Sequence, residues 1–302
     1  MLKYIFILSA FTLLIFQSCD EDSFSQVVVI DIPEHESKPV IKLQLEANND
    51  RSLSVLVSNS KGLLDPESDY KVPSDAIVQL YKNGELLSQL SYNAQVAQYT
   101  DSNFDPISDI AGDTYLLEAK LEGYDKVSAT QKMPPKPIIT NATYEIEGTI
   151  DSEGYRADQI ITDIADTDLD ETNYYGIRVF HVDYQVDFNG DTTGISKQRI
   201  YLDSNDPLLT YGNRYGLIFT DEAFTNGTFQ VRAYSYNSAG EETDIEVELL
   251  QLSKDAYFYE RSFEQYYNAI DNPFAEPVTV HNNIEGGYGI FSLANSTIFK
   301  IK

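Results

Sequence analysis

"AIVQLYKNGELLSQLSY", Ala76–Tyr92, decides the fold. Two runs of apolar and β-favouring residues flank Asn83-Gly84. Both central positions of a type I′ turn need positive φ, and Asn-Gly is the pair that accepts it most readily. The stretch is therefore read as a tight β-hairpin. Its neighbours repeat the pattern. "VIKLQLEA" places Ile41, Leu43 and Leu45 on one face, and "SLSVLVSN" does the same with Leu53, Val55 and Val57, with the polar "NNDR" as a turn between them. "AGDTYLLEAKLEGYDKVSATQKMP" puts Tyr115, Leu117, Ala119 and Leu121 on one face, turns at Gly123 and returns through Val127 and Ala129. "VVVIDI" (Val27–Ile32) adds a β-branched run. Period two with bracketing turn residues marks half-buried strands. Many such strands at close intervals imply an antiparallel sandwich.

The pattern continues beyond "KMPPKPII". Pro134, Pro135 and Pro137 lack a donor N–H and hold the chain extended, as a stiff junction does. "NATYEIEGTI" alternates again. "ETNYYGIRVFHVDYQV" reads as a long strand with Ile177, Val179 and His181 on one face, and "IEVELLQL" as a further strand. In "NGTFQVRAYSYNSAGEE", Phe229, Val231 and Ala233 alternate before a turn at Ser238-Ala239-Gly240. Residues 187–209 are polar and turn-rich, an insertion with one or two hairpins. One helix interrupts the strands. Ser253 is its expected N-cap, Asp255 lies in its first turn, and Pro273 ends it. Tyr259, Phe263, Tyr266 and Ile270 recur at helical spacing, with Glu260, Arg261, Glu264 and Asn268 opposite. That aromatic stripe is expected to pack on the second sandwich; the rival reading makes it an exposed docking surface. The tail is read as short strands broken at Gly286-Gly287.

The expected class is mostly β: two tandem immunoglobulin/fibronectin-III-like antiparallel β-sandwiches, with one C-terminal helix packed on the second. The expected divisions are a signal peptide (1–18), an acidic tether (19–25), a first sandwich (26–133), a Pro-rich junction (134–137) and a second sandwich (138–302). The second contains the insertion near 187–209 and the helix near 254–271. "GDTYLLEA" resembles the immunoglobulin-type strand that carries a corner tyrosine, so Tyr115 is either that residue or a plain core aromatic.

The N-terminus carries a different signal. Lys3 precedes the thirteen-residue, almost wholly apolar run "YIFILSAFTLLIF". At about 1.5 Å per residue such a run falls short of a bilayer core of about 30 Å, and it fits a secretory h-region. It ends at "FQSC", which resembles a lipobox, with the single cysteine Cys19 at the expected cleavage point. Diacylglycerol on Cys19 anchors a chain firmly, since each buried methylene contributes about 0.8 kcal/mol. One cysteine forms no disulfide within the chain, so the folded part relies on core burial.

Charge excludes one partner class. The chain has 21 Lys plus Arg against 48 Asp plus Glu, net −27, and loss of residues 1–18 removes only Lys3, leaving −28. Nucleic-acid binding needs clustered cations, so no nucleic-acid partner is expected. Adhesion to anionic lipid by charge is disfavoured too, which leaves the lipid anchor as the contact with the membrane. The charge itself serves solubility.

Chemical motifs are few. His35, His181 and His281 lie far apart, and no nucleophile elbow, phosphate loop or metal-ligand spacing appears. Asp166, Asp168 and Asp170 have the spacing of a calcium loop's first three ligands, but the central glycine is missing and position twelve is Ile177, not Glu. They are weak metal candidates, with a solvated turn as the default. No cofactor is expected. Glu276 and Glu285 form a glycosidase pair only if their carboxyl groups are suitably spaced.

The segments "ETNYYGIRV", "NGTFQVRAY" and "LSKDAYFYERSFEQYYNAIDNPFAEPVTVHNNIEGGYGIF" resemble the domain-of-unknown-function 4249 family of Bacteroidota lipoproteins. Within them, Asn-Pro-Phe, Glu-Pro-Val, Asn-Ile-Glu and Gly-x-Gly-Ile-Phe match that family's C-terminal signature; "VPSDAIVQLYKNGELL" and "GDTYLLEAKLEGY" are similar too. The resemblance implies an outer-membrane lipoprotein associated with TonB-dependent transporters, and it brings no active site. It also gives Asp20, Glu21 and Asp22 a meaning, since acids just after the lipidated cysteine resemble an export signal to the cell surface. The expected function is thus a non-enzymatic accessory subunit of a TonB-dependent transporter, a β-barrel of the outer membrane, on the cell exterior. Alternatives are a structural subunit of a larger outer-membrane machine and a surface hydrolase with an unrecognised site.

Overall fold

A computed structural model describes residues 35–48, 53–62, 65, 66, 71–166, 168, 170–188, 191–240, 243–270, 272 and 274–301. Cys19, Asp20, Glu21, Asp22, the Val27–Ile32 run and Pro273 lie outside the described residues.

The protein is mostly β, and most alternations read from the sequence become strands with a buried face; the "NATYEIEGTI" stretch instead leaves Ile146 and Ile150 exposed, and "IEVELLQL" is buried on both faces. β1 (Pro39–Glu46) and β2 (Leu53–Asn59) pair antiparallel. β3 (Ile77–Lys82) and β4 (Glu85–Asn93) form the hairpin around Asn83-Gly84, whose φ values of 51° and 86° are both positive. β5 (Gln98–Asp101), β6 (Thr114–Lys120) and β7 (Val127–Lys132) complete this half. The order β1-β2-β5-β4-β3-β6-β7 turns back on itself, because Ile41, Leu43, Val55, Val78, Leu80 and Leu117 share one core. Tyr115 is fully buried there. Its hydroxyl lies 3.5 Å from Ser108 Oγ, a side chain, where a corner tyrosine reaches main chain. The geometry is that of a core aromatic.

The second half is a sheet on a sheet. β8 (Ile138–Ile150), β9 (Arg156–Ala165) and β14 (Thr228–Ser235) form a three-stranded sheet in the order β14-β9-β8. It covers β10 (Tyr174–Val186), β13 (Gly216–Thr220) and β15 (Asp244–Leu252). β11 (Thr192–Ile200), within the stretch read as an insertion, pairs along β10, and the short β12 (Thr210–Gly212) edges β13. The core between the sheets holds Ile160, Ile164, Ile177, Val179, Val247 and Leu249, with a stacked run of rings through Phe219, Tyr175, Phe224 and Phe229.

One strand joins the halves. β16 (Tyr288–Ile301) is a single fourteen-residue strand, where the sequence is read as short broken pieces. Its first half runs parallel to β1, from Val40↔Tyr288 to Glu46↔Ala294. Its second half runs antiparallel to β15, from Leu252↔Ala294 to Ile245↔Ile301. Phe291 and Leu293 enter the first core, and Phe299 and Ile301 pack on the second. Gly289 makes the parallel pairing possible. It has φ +118°, and a Cβ there would fall on the Ile41 carbonyl oxygen. The Gly-x-Gly element is thus a contact requirement. The Pro-rich junction is fastened to the same strand: Asn295 Nδ2 donates to the Asp109 and Pro134 carbonyls at 3.0 and 3.1 Å, and Thr297 Oγ1 to Pro137 O at 2.6 Å.

The helix, α1 (Lys254–Ile270), starts two residues after β15 ends. Ser253 caps it, accepting from Ala256 N at 3.4 Å, and its main chain is bonded to Leu293 of β16. Its buried face differs from the expected one. Ala256, Tyr257, Tyr259 and Glu260 are buried, whereas Tyr266 and Ile270 are 38% and 58% exposed. The first two turns lie over an apolar patch of Tyr215, Ile218, Leu250, Leu252 and Ala294, and the last two extend beyond it. Burial is therefore set by where the helix begins. The stripe of Tyr259, Phe263, Tyr266 and Ile270 follows the helix axis away from that patch.

Tyr257→Ala is expected to cost about 3–5 kcal/mol in urea unfolding, the range for a buried aromatic. Tyr266→Ala is expected to stay within about 0.5 kcal/mol, as a surface change does. Equal losses at both positions would restore the original stripe as the packed face.

Candidate functional site

Alternation along β10 gives its sheet two unlike faces. Ile177 and Val179 point into the second core, while Tyr174, Arg178 and Phe180 point outward. α1 covers one end of this outer face, with the Tyr174 ring 5.1 Å from that of Tyr257 and 5.7 Å from that of Phe258. The rest stays open. A cleft of about 640 Å³ is lined by Lys136, Arg178, Phe180, Lys197, Glu248 and Thr297, among others. A second cleft, of about 260 Å³, lies across Arg178 and is lined by Arg199, Tyr201, Tyr211 and Asn213.

Arg178 is the wall between the clefts, and it is buried. Its Nε and Nη2 donate to Glu248 Oε2 at 2.9 and 2.6 Å, and its Nη1 and Nη2 donate to Glu46 at 3.1 and 2.8 Å. Glu46 and Glu248 are buried as well. Burial disfavours the charge on Arg178, but the hydrogen bonds and charges of the two glutamates outweigh it and hold its pKa above the ordinary value. The network spreads outward. Arg214 Nε donates to Glu46 Oε1 at 3.1 Å. Glu260 of α1 accepts from Arg214 N and Gln44 Nε2, each at 3.0 Å. Glu260, expected to face water, is thus a buried link between helix, β1 and the β12–β13 turn. Further along the face, Lys197 and Lys300 both meet Glu246, at 2.8 and 3.0 Å, and Lys197 Nζ stands 4.2 Å from the centre of the Phe180 ring. Lys197 and Lys300 outweigh the effect of burial on Glu246 and keep its carboxyl below the ordinary range.

A second polar cluster fixes the start of α1. Asp255 Oδ1 lies 2.7 Å from His281 Nε2, and Asp255 Oδ2 accepts from Gln131 at 2.6 Å and Asn283 at 3.2 Å. Burial opposes ionisation of Asp255, yet these three partners prevail and lower its pKa. An Asp–His pair beside a serine invites comparison with a catalytic triad. Here Ser262 Oγ accepts from the His281 main-chain N–H at 2.8 Å and donates to Tyr259 O at 3.0 Å. Those bonds tie tail to helix. Asn283 also bonds Phe291 in both directions, so the Asn-Ile-Glu signature positions the start of β16.

The residues singled out in the sequence are dispersed. Asp166 and Asp168 each accept a main-chain N–H two residues on, at 3.0 and 3.2 Å, as turn-forming aspartates do. Among the described residues, no three His, Cys, Asp or Glu side chains gather into a metal-holding group. Glu276 and Glu285 are exposed, and Glu285 pairs through its main chain with Ser128. His181 is buried against Tyr144, and burial lowers its pKa. Sequence reading missed the Arg178 network. Its signal was a charge inside each of three apolar strands: Glu46, Arg178 and Glu248.

At its far end α1 presents apolar side chains to solvent. Tyr266, Tyr267 and Ile270 are 38%, 66% and 58% exposed, and Phe274 just beyond is 94% exposed. Tyr266 and Ile270 are four residues apart, on one side of the helix.

These features define a β-sandwich protein with a helix-capped, partly open outer sheet face. The chain belongs to the family described as Domain of unknown function (DUF4249), whose model matches residues 26–299. A comparison with curated proteins finds no match.

Arg178→Met would leave Glu248 buried without a cation and Glu46 with Arg214 alone, and is expected to lower stability by about 3–5 kcal/mol. Replacing all three together, as Arg178→Met, Glu46→Leu and Glu248→Leu, is expected to restore most of that loss, because desolvation offsets much of a buried pair's attraction. Urea unfolding of the two variants checks the account; a single variant as stable as the parent would contradict it.

Proposed function

We propose that the protein is a lipid-anchored accessory subunit of an outer-membrane β-barrel transporter of the TonB-dependent kind, carried on the cell exterior and acting by binding. The order of features along the chain supports the anchor. An apolar run leads to Cys19, Asp20, Glu21 and Asp22 follow, and the family match starts at residue 26. Acyl chains on Cys19 would hold the folded part beside the membrane, and the acids would direct it outward.

The observation that carries the docking role is the exposed apolar end of α1. Contiguous apolar side chains on a folded surface usually mark an interface. Tyr266, Tyr267, Ile270 and Phe274 supply them, next to a helix whose base is already fixed by Ser253, Asp255 and Glu260. A rigid base lowers the ordering cost of binding. A partner embedded in the same membrane is also held close by the shared anchor, which raises its effective concentration.

Detergent pull-down of the lipidated protein tests the reading. The parent is expected to recover a β-barrel transporter in stoichiometric amount. Ile270→Glu is expected to lose that partner with an unchanged melting temperature, and Cys19→Ala to leave the membrane fraction. Recovery of the partner by Ile270→Glu would remove α1 from the docking surface, and a membrane-bound mature Cys19→Ala would remove the anchor.

A further inference from the structure

Most cations of the outer face are matched to carboxylates; Lys42 instead stands over the rings of Tyr259 and Phe263. Arg178, Arg214, Lys197 and Lys300 each meet a glutamate within 4.0 Å. Arg199 has no such partner among the described residues, in a protein of net charge −27. Its Nη1 donates to the main-chain carbonyls of Asn213 and Arg214 at 3.2 and 3.0 Å, which fixes the guanidinium at the wall of the 260 Å³ cleft. The side chain is exposed at the mouth of the cleft, and crowding by the surrounding protein together with repulsion from Arg178 lowers its pKa. Glu46 and Glu260 act on it only from a distance, and both are bonded to other groups: Glu46 to Arg178 and Arg214, Glu260 to Gln44 and the Arg214 N–H.

The rest of the cleft has a definite character. Tyr201 and Tyr211 face each other with ring centres 5.3 Å apart, and Tyr201 is 56% exposed. Asn213 adds an amide. A guanidinium fork recognises a carboxylate through two parallel N–H···O bonds, and tyrosine faces accept a flat apolar body. The volume matches about nine water-sized groups at about 30 Å³ each, room for a compact acid.

We propose that this cleft binds a small organic monocarboxylate with a flat apolar body, the carboxylate on Arg199 and the body against Tyr201 and Tyr211. The site goes beyond the docking role and does not depend on it, since it lies between β11, β12 and β13 rather than at the end of α1.

Calorimetric titration of the full chain in detergent tests the site, with sodium benzoate as probe and benzamide as its neutral counterpart. Benzoate is expected to bind, and benzamide to bind at least about tenfold more weakly, the effect of one charge-assisted contact. Arg199→Gln is expected to lose benzoate binding by about tenfold or more. Tyr201→Ala is expected to weaken benzoate while leaving sodium acetate unchanged. Circular dichroism of both variants confirms that the sheet is intact. No benzoate binding to the parent, equal binding of benzamide, or parent-like binding by a folded Arg199→Gln would each overturn the proposal. Loss of the transporter partner on Arg199→Gln, with no benzoate binding by the parent, would instead make the cleft part of a protein interface and would also overturn it.

Discussion

A guanidinium withdrawn from water must be given carboxylates, and Arg178 takes them from two other strands. Glu46 comes from β1 and Glu248 from β15, while Arg178 itself stands on β10. A one-residue slip in any of these strands would turn its charge into an apolar core and an apolar residue outward. The network therefore dictates register. Its net contribution to stability is small, because desolvation offsets the attraction; its effect lies in the alternatives it forbids. The point where it acts is also where β16 changes partner, from β1 to β15, at Ala294.

The other features follow from that junction. Residues Ser37–Lys302 form one compact unit, and β16 places side chains in each apolar cluster along it. α1 begins at the same place, with Ser253 bonded to Leu293, Glu260 to Arg214, and Asp255 to Gln131 of the first half. Its first turns are thus committed to structure, and its last turns are left to solvent. Because α1 covers only one end of the outer face, the clefts on either side of Arg178 stay open. Family signature elements acquire physical roles here: Asn283 fixes the entry to β16, and Gly289 allows close approach to Ile41.

Local order was legible in the sequence wherever it depends on near neighbours. Asn83-Gly84 identified a hairpin because two positive φ angles are needed there. Leu53, Val55 and Val57 identified a buried face because a strand has period two. Features that depend on distant partners were not legible. Nothing in "YGIFSLANSTIFKI" states that its first half pairs parallel with a strand some 250 residues earlier and its second half antiparallel with β15. The helix was found with its N-cap, but its buried side was misread, since helical periodicity gives a stripe and not the length of the surface beneath it. Charges inside apolar strands were visible as anomalies at Glu46, Arg178 and Glu248, and only the fold shows that they answer one another. Arg199 carried no sequence signal, because its meaning lies in the carboxylate it lacks.

The central claim is that the Arg178 network and β16 couple the two apolar cores into one cooperative unit. Native-state hydrogen exchange read by mass spectrometry, across a urea series, tests it most directly. The account predicts that amides of β3 and β6 in the first core and of β9 and β14 in the second lose protection together, at one urea concentration. Loss of protection in β3 and β6 while β9 and β14 remain protected, or the reverse, would contradict it.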